Sequence, residues 1–168
     1  VSRLQGELEQ ASEMVRHDAL TGALNRKGMD EVVEREVAHV NRHGGSLCIA
    51  MLDIDNFKKL NDTYGHDTGD EALVHLTNVI RQHLRPQDSL ARYGGEEFVI
   101  LLPETGMAEA KNVAERIRRE IETHRDRALP AYTVSLGLSI AQGDAGQAAD
   151  ITALIAEADA ALYRAKQG

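Results

Sequence analysis

The order of periodic segments predicts an α+β fold, a ferredoxin-like βαββαβ core with extra helices around it. Three observations carry this expectation. From about residue 47, continuous apolar runs and 3.6-residue apolar stripes follow one another as strand, helix, strand, strand, helix, strand, helix. Two of the strand-like runs, Ser89 to Tyr93 and Phe98 to Leu102, are joined through Gly94-Gly95. That link reads as a tight hairpin, because glycine takes positive φ at both turn positions without steric cost. Residues that start or stop helices bound the stripes.

The elements follow in order. Leu4, Leu8, Ala11 and Val15 are spaced four, three and four apart, with Glu7, Glu9, Glu13 and Arg16 between them. This short heptad seam divides the chain into a helical coiled-coil stub or linker over 1–17 and one domain over 18–168. The alternative is an amphipathic helix packed on its own domain. Asn25 caps a helix from Arg26 to about His43 with Met29, Val33, Val37 and Val40 inward, and Gly44-Gly45 ends it. Leu47 to Leu52 is too continuous for a half-exposed strand and reads as a buried one ending at Asp53. A loop leads to a helix from about Asp67 to Leu84, with Leu73, Leu76, Ile80 and Leu84 inward and Pro86 stopping it. After the hairpin come a helix carrying Met107, Ala110, Val113, Ile117 and Ile121, then a strand from Tyr132 to Ile140. The last helix is capped by Asp150 and buries Ile151, Leu154, Ala158 and Leu162.

Bulk properties narrow the function. A chain of 168 residues is long enough for a real core, and its formal net charge of −8 argues against a nucleic-acid or membrane surface. Cys48, the single cysteine, lies within an apolar strand and reads as a small buried hydrophobe. With no disulfide framework, signal peptide or transmembrane run, the expected setting is reducing and cytoplasmic, without direct membrane contact from this fragment. The chain begins with Val rather than Met, which reads as a piece of something longer, its parent membrane-anchored or not.

Folding does not explain the carboxylates Glu96 and Glu97 at the start of the second hairpin strand. Like charges at neighbouring positions repel, and a solvated acidic turn would be the plain reading if they stood alone. In a βαββαβ plan, however, the first and third strands are central, adjacent and antiparallel, so Asp53 meets Glu96 and Glu97 at one sheet edge. Carboxylates at a strand end, followed closely by Lys58, suit metal-assisted phosphate chemistry. The carboxylates hold a hard divalent ion and the lysine meets phosphate as a point charge.

These motifs, in order, resemble the GGDEF domain of bacterial diguanylate cyclases in its Gly-Gly-Glu-Glu-Phe variant. They are Asp18 to Arg26, Asp53-Ile54-Asp55-Asn56-Phe57-Lys58, Asn61-Asp62, Gly65 to Asp70, Arg92 to Phe98, Val134 to Gly137 and Ala158 to Lys166. The resemblance implies the nucleotidyl cyclase and polymerase palm type of fold. It also implies condensation of two GTP molecules into cyclic di-GMP across a homodimer joined by an upstream coiled coil. It places Mg²⁺, with Mn²⁺ as the alternative, on Asp53, the Ile54 carbonyl and Glu96, with Glu97 in support. Asp53, Glu96, Glu97 and Lys58 are then the catalytic set. The Asn56 and Phe57 amides with Lys58 would cradle the β- and γ-phosphates, and Asn61 and Asp70 would read guanine, with His66 nearby. Lys166 would reach the triphosphate. Arg85 and Asp88 match the family's RxxD site for inhibition by the product, and Arg116 its secondary contact.

Other residues carry plainer readings. Asp62 and Asp67 read as cap or loop residues, and Gly22 and Gly65 as turns. His39 and His43 share a helix face without a third zinc ligand and suit the helix C-terminus. Arg92 belongs either to the active site or a partner, or to the surface. The pair Arg85 and Asp88 has its own plain reading, a surface ion pair across a proline turn. The chain stops short of the family's usual Gly-Arg-Asn, which puts phosphate holding in question. Two other functions fit less well: a non-catalytic domain that binds GTP or cyclic di-GMP, and a nucleotide cyclase or polymerase palm with another product.

Overall fold

The computed structural model describes residues 15–124, 128–143 and 151–167. It contains α1 (Arg26–His43), β1 (Gly45–Ile54), α2 (Phe57–Tyr64), α3 (His66–Gln82) and β2 (Ser89–Arg92). These are followed by β3 (Glu97–Pro103), α4 (Met107–Thr123), β4 (Val134–Gly143) and α5 (Ile151–Gln167). The four strands form one sheet in the order β2-β3-β1-β4, every neighbouring pair antiparallel. The predicted core is therefore present, with β1 and β3 central.

Alternation along β1 explains why its sequence is apolar throughout. Cys48, Ala50, Leu52 and Ile54 point to one face, where they meet Leu73, Leu76 and Ile80 of α3 and Ile117 and Ile121 of α4. Leu47, Ile49 and Met51 point to the other, against Met29, Val33, Val37 and Val40 of α1 and Leu154, Ala158 and Leu162 of α5. Helices cover both faces, so neither set of side chains can be polar. Cys48 is fully buried, and burial pushes its thiol up to about 11, an inert small hydrophobe.

Caps set the helix boundaries. The Asn25 side chain accepts from the Gly28 amide at 2.9 Å, and Gly44 at φ 79° closes α1 with its amide on the Val40 carbonyl. The joint between α5 and β4 depends on Gly137. A Cβ there would lie 2.0 Å from the Leu162 nitrogen and 2.3 Å from the Ala158 carbonyl oxygen, so the helix backbone rests directly on the strand.

Four expectations change. The link after β1 is not only loop, since α2 forms there with Leu60 buried, Phe57 packed on the core and Tyr64 exposed. Gly94 and Gly95 do not use positive φ, and the connection is a four-residue one in which the Tyr93 amide donates to the Glu97 carbonyl at 2.7 Å. β4 starts at Val134 because Tyr132 turns its hydroxyl onto His75 Nδ1 (2.6 Å) instead of joining the ladder. α3 ends at Gln82, leaving Leu84 in the following turn. The heptad positions Leu4, Leu8 and Ala11 and the Asp150 cap lie outside the described residues, as does the side chain of Ile151. Val15, the last heptad position, is exposed.

Candidate active site at the edge of the sheet

Antiparallel pairing of β1 with β3 sets Asp53 directly opposite Glu97, one residue from Glu96. On the other side β4 sets Ser135 opposite Asp53. The end of α5, held down through Gly137, brings Lys166 Nζ to 2.7 Å from Asp53 Oδ1 and 3.9 Å from an Asp55 oxygen. Asp55 is otherwise satisfied, its carboxylate accepting from Thr133 Oγ1 at 2.8 Å and Ser135 Oγ at 2.7 Å.

This edge gathers more negative charge than it neutralises. Burial raises the Asp53 carboxyl above its ordinary range, Lys166 opposes the rise and Asp55 adds to it. Glu97 is also raised, first by burial, then by the charges of Asp159, Asp53 and Glu96, against which Arg26 acts. Asp159, on α5, is a member of this carboxylate group that sequence reasoning did not single out. Its signal was present, since Asp159 and Lys166 lie two turns apart on one helix face. Among the described residues no three His, Cys, Asp or Glu side chains converge closely enough to form a ready metal cage. Among the described residues, the cation paired with Asp53 is the Lys166 ammonium.

The segment after β1 leaves several polar groups open. Asn56 adopts the left-handed region (φ 56°, ψ 36°), which is uncommon for a residue with a side chain, and starts α2 without a side-chain cap. The first amides of α2 therefore have no intrahelical acceptor, and they open beside the exposed Lys58. Asn61 Oδ1 is buried and has no hydrogen-bond partner. Gly69 makes room for it: a Cβ there would stand 1.8 Å from that oxygen and 3.3 Å from Phe57 Cζ. Asp70, the next residue, is exposed, as is His66 at the start of α3. Asp67 lies in the first turn of α3 and Asp62 within α2; Gly22 and Gly65 take positive φ, as turns require.

Arg92 resolves as a brace. Its Nε donates to the Gly95 carbonyl at 3.0 Å and its Nη1 lies 3.4 Å from both oxygens of Asp18. Asp18 also caps its own turn, accepting from the Thr21 amide and hydroxyl. Burial pushes the Asp18 carboxyl up, but the Thr21 bonds and the Arg92 charge outweigh it and leave it below its ordinary value. Tyr93 is fixed as well, its hydroxyl donating to Asp30 and its ring lying under the Arg26 guanidinium at 4.5 Å.

The Arg85 turn is more than a surface ion pair. Arg85 Nη2 donates to Asp88 Oδ1 (3.1 Å), the Pro103 carbonyl (2.8 Å) and Thr105 Oγ1 (2.7 Å), and its Nε and amide both donate to Asp88 Oδ2. The Asp88 side chain is only 2% exposed while that of Arg85 is 38% exposed. Asp88 thus orients the arginine and does not face solvent. Arg116 is exposed on α4. The His39 and His43 rings lie 4.8 Å apart, tilted by 42°, near the end of α1.

The family model described as "Diguanylate cyclase, GGDEF domain" matches residues 15–168. The diguanylate cyclase DosC of Escherichia coli is 41% identical over 150 residues, covering 89% of this chain; the chain spans 33% of that relative. A crystal structure of the coiled coil and GGDEF domain of DgcB from Caulobacter crescentus, in complex with c-di-GMP, superposes with a TM-score of 0.91. It is 35% identical and covers 99% of this chain and 88% of the other. The active GGEEF domain of a diguanylate cyclase from Vibrio cholerae gives a TM-score of 0.78 at 33% identity, covering 85% and 90%. Together with the carboxylate edge and the glycine-glycine hairpin, these matches establish that the chain belongs to the GGDEF family of diguanylate cyclase domains.

Proposed function

We propose that this chain condenses two GTP molecules into cyclic di-GMP, releasing two pyrophosphates, as the output module of a longer signalling protein. The observation that carries the reading is the register of β1 on β3, in which Asp53 faces Glu97 across a carboxylate-rich edge. An edge that keeps a surplus of carboxylates over the nearby cations Lys166 and Arg26 fits a hard divalent cation, Mg²⁺ or Mn²⁺. Asp53, the Ile54 carbonyl and Glu96 would hold it, with Glu97 in support. When bound, such an ion polarises phosphoryl oxygens and neutralises developing charge on the leaving pyrophosphate.

The protein's own groups do the rest. The amides of Asn56 and Phe57, open at the start of α2, hold the β- and γ-phosphates with Lys58. Asp70 accepts from N1 and N2 of guanine, and Asn61, whose buried oxygen lacks a partner among the described residues, pairs at another edge of the base. Adenine offers no matching donors at that edge, so it would leave Asp70 unpaired. His66 borders the same site, and Lys166 turns from Asp53 to the triphosphate. Each domain holds one GTP, and two domains face each other so that each 3′-hydroxyl attacks the other's α-phosphate. GTP as substrate sets the domain in the cytoplasm. No described helix is long and apolar enough to cross a membrane.

Product inhibition belongs to the same proposal. Arg85, held in place by Asp88, Pro103 and Thr105, presents a fixed guanidinium that suits guanine O6 and N7. Arg116 supplies a second contact.

Incubating the chain with GTP and Mg²⁺ and identifying products by mass tests the activity. Cyclic di-GMP is the expected product, formed at a specific activity that rises with protein concentration. GTP bound but unchanged would favour a binding domain. A specific activity independent of concentration in a monomeric sample would remove the two-domain arrangement.

A further inference from the structure

We infer that Lys166 serves as the resident counter-ion of the nucleotide-free site, occupying Asp53 and competing there with the divalent cation. This rests on the metal reading above and adds an order to it. Lys166 Nζ sits 2.7 Å from Asp53 Oδ1, and the Asp53 side chain is only 14% exposed. A carboxylate so covered requires a partner. The contact links residues 113 positions apart and depends on the seating of α5, which Gly137, Ala158 and Leu162 fix against β4. The ammonium is therefore delivered by the fold and does not wander from solvent. Asp55 is the weaker partner: its oxygens already accept from Thr133 and Ser135, and it lies 3.9 Å from the ammonium against 2.7 Å for Asp53.

Two consequences follow. A divalent ion entering alone must displace Lys166 from Asp53, which weakens metal binding in the absence of nucleotide. Phosphates offer the ammonium a second partner, so the nucleotide draws Lys166 away and frees Asp53 for the ion. Metal and nucleotide then enter together, and the empty site does not collect free Mg²⁺.

Titration of the full chain with Mn²⁺, followed by the loss of the free-ion electron spin resonance signal, tests this without turnover. In the absence of nucleotide, Lys166→Met should bind Mn²⁺ about fivefold tighter than wild type, the upper range for a partly exposed ion pair. Arg164→Met removes the same charge from the same helix end without touching Asp53 and should change the affinity little. Equal tightening in both variants would reduce the effect to a general field, and no tightening in Lys166→Met would overturn the inference. Asp53→Asn keeps the two failures apart. If Mn²⁺ binding with an unreactive GTP analogue is insensitive to Asp53→Asn, the metal reading itself is wrong. If that variant weakens binding while Lys166→Met does nothing, only the competition is wrong.

Discussion

The sheet edge at Asp53 and the turn at Arg85 are both dense with charge, and they are resolved in opposite ways. At the turn, one arginine meets one buried carboxylate, a carbonyl and a hydroxyl, and each group has its partner. At the edge, Asp53, Glu96, Glu97 and Asp159 outnumber the cations Lys166 and Arg26, and two of the carboxyls are raised; on α2, the buried Asn61 Oδ1 has no partner among the described residues. A satisfied cluster stabilises the fold. An unsatisfied one costs stability, and that asymmetry is what the proposed cation site would resolve.

The largest expected effect separates the two regions most sharply. Glu96→Gln sits at a turn edge, removes an anionic ligand and should lower cyclic di-GMP formation by at least about 100-fold. Its melting temperature should stay at or above that of wild type. A variant that turns over GTP normally would refute the metal assignment; one that melts early would show that Glu96 braces the hairpin.

Next comes Gly69→Ala, which tests whether the unpartnered amide oxygen is kept for guanine. The added methyl group would stand 1.8 Å from Asn61 Oδ1, so the side chain must leave its place. GTP binding should weaken about tenfold, the worth of a buried hydrogen bond. Binding measured calorimetrically and unchanged from wild type would disconnect Asn61 from the base.

Arg85→Ala probes the satisfied region. It leaves Asp88 buried with the Arg85 amide but without the guanidinium, at a cost of about 1–3 kcal/mol in denaturant unfolding. Inhibition by cyclic di-GMP should disappear while basal turnover in the native protein persists. Inhibition that survives, or that competes strictly with GTP, places the product elsewhere.

What the sequence made legible follows from range and periodicity. Strand order, both faces of β1 and the meeting of Asp53 with Glu97 came from alternation and from the way a split βαβ unit must close. α2 escaped notice because it is short and mostly polar and starts from a left-handed Asn56, although Phe57, Leu60 and Tyr64 mark one face. The glycine pair misled in conformation, since room beside the backbone and not positive φ is what the hairpin provides: a Cβ at Gly95 would meet nothing within 4 Å. Contacts such as Lys166 with Asp53, or Arg85 with Thr105, leave no periodic trace. The first appears only once Gly137 is seen to seat α5, and the second only once the end of β3 is placed beside the turn.

The smallest effect is the most diagnostic of an edge held for a cation. Glu97 is raised from its ordinary value of 4.5 by burial and by Asp159, Asp53 and Glu96. A carboxyl raised on folding contributes stability that is complete below its unfolded pKa and is lost as pH climbs through the folded one. At pH 7 the ionised side chain therefore opposes folding of the metal-free domain. Glu97→Gln, neutral throughout, should melt slightly higher than wild type at pH 7 in the presence of a chelator. The gap should close as pH falls below about 4, where wild-type Glu97 is protonated too. Mg²⁺ with an unreactive GTP analogue should narrow or reverse it at pH 7, because the bound ion then offsets the Glu97 charge that the variant lacks. A gap that ignores pH would trace the difference to packing, and a variant less stable at pH 7 would make Glu97 a structural residue like Asp88.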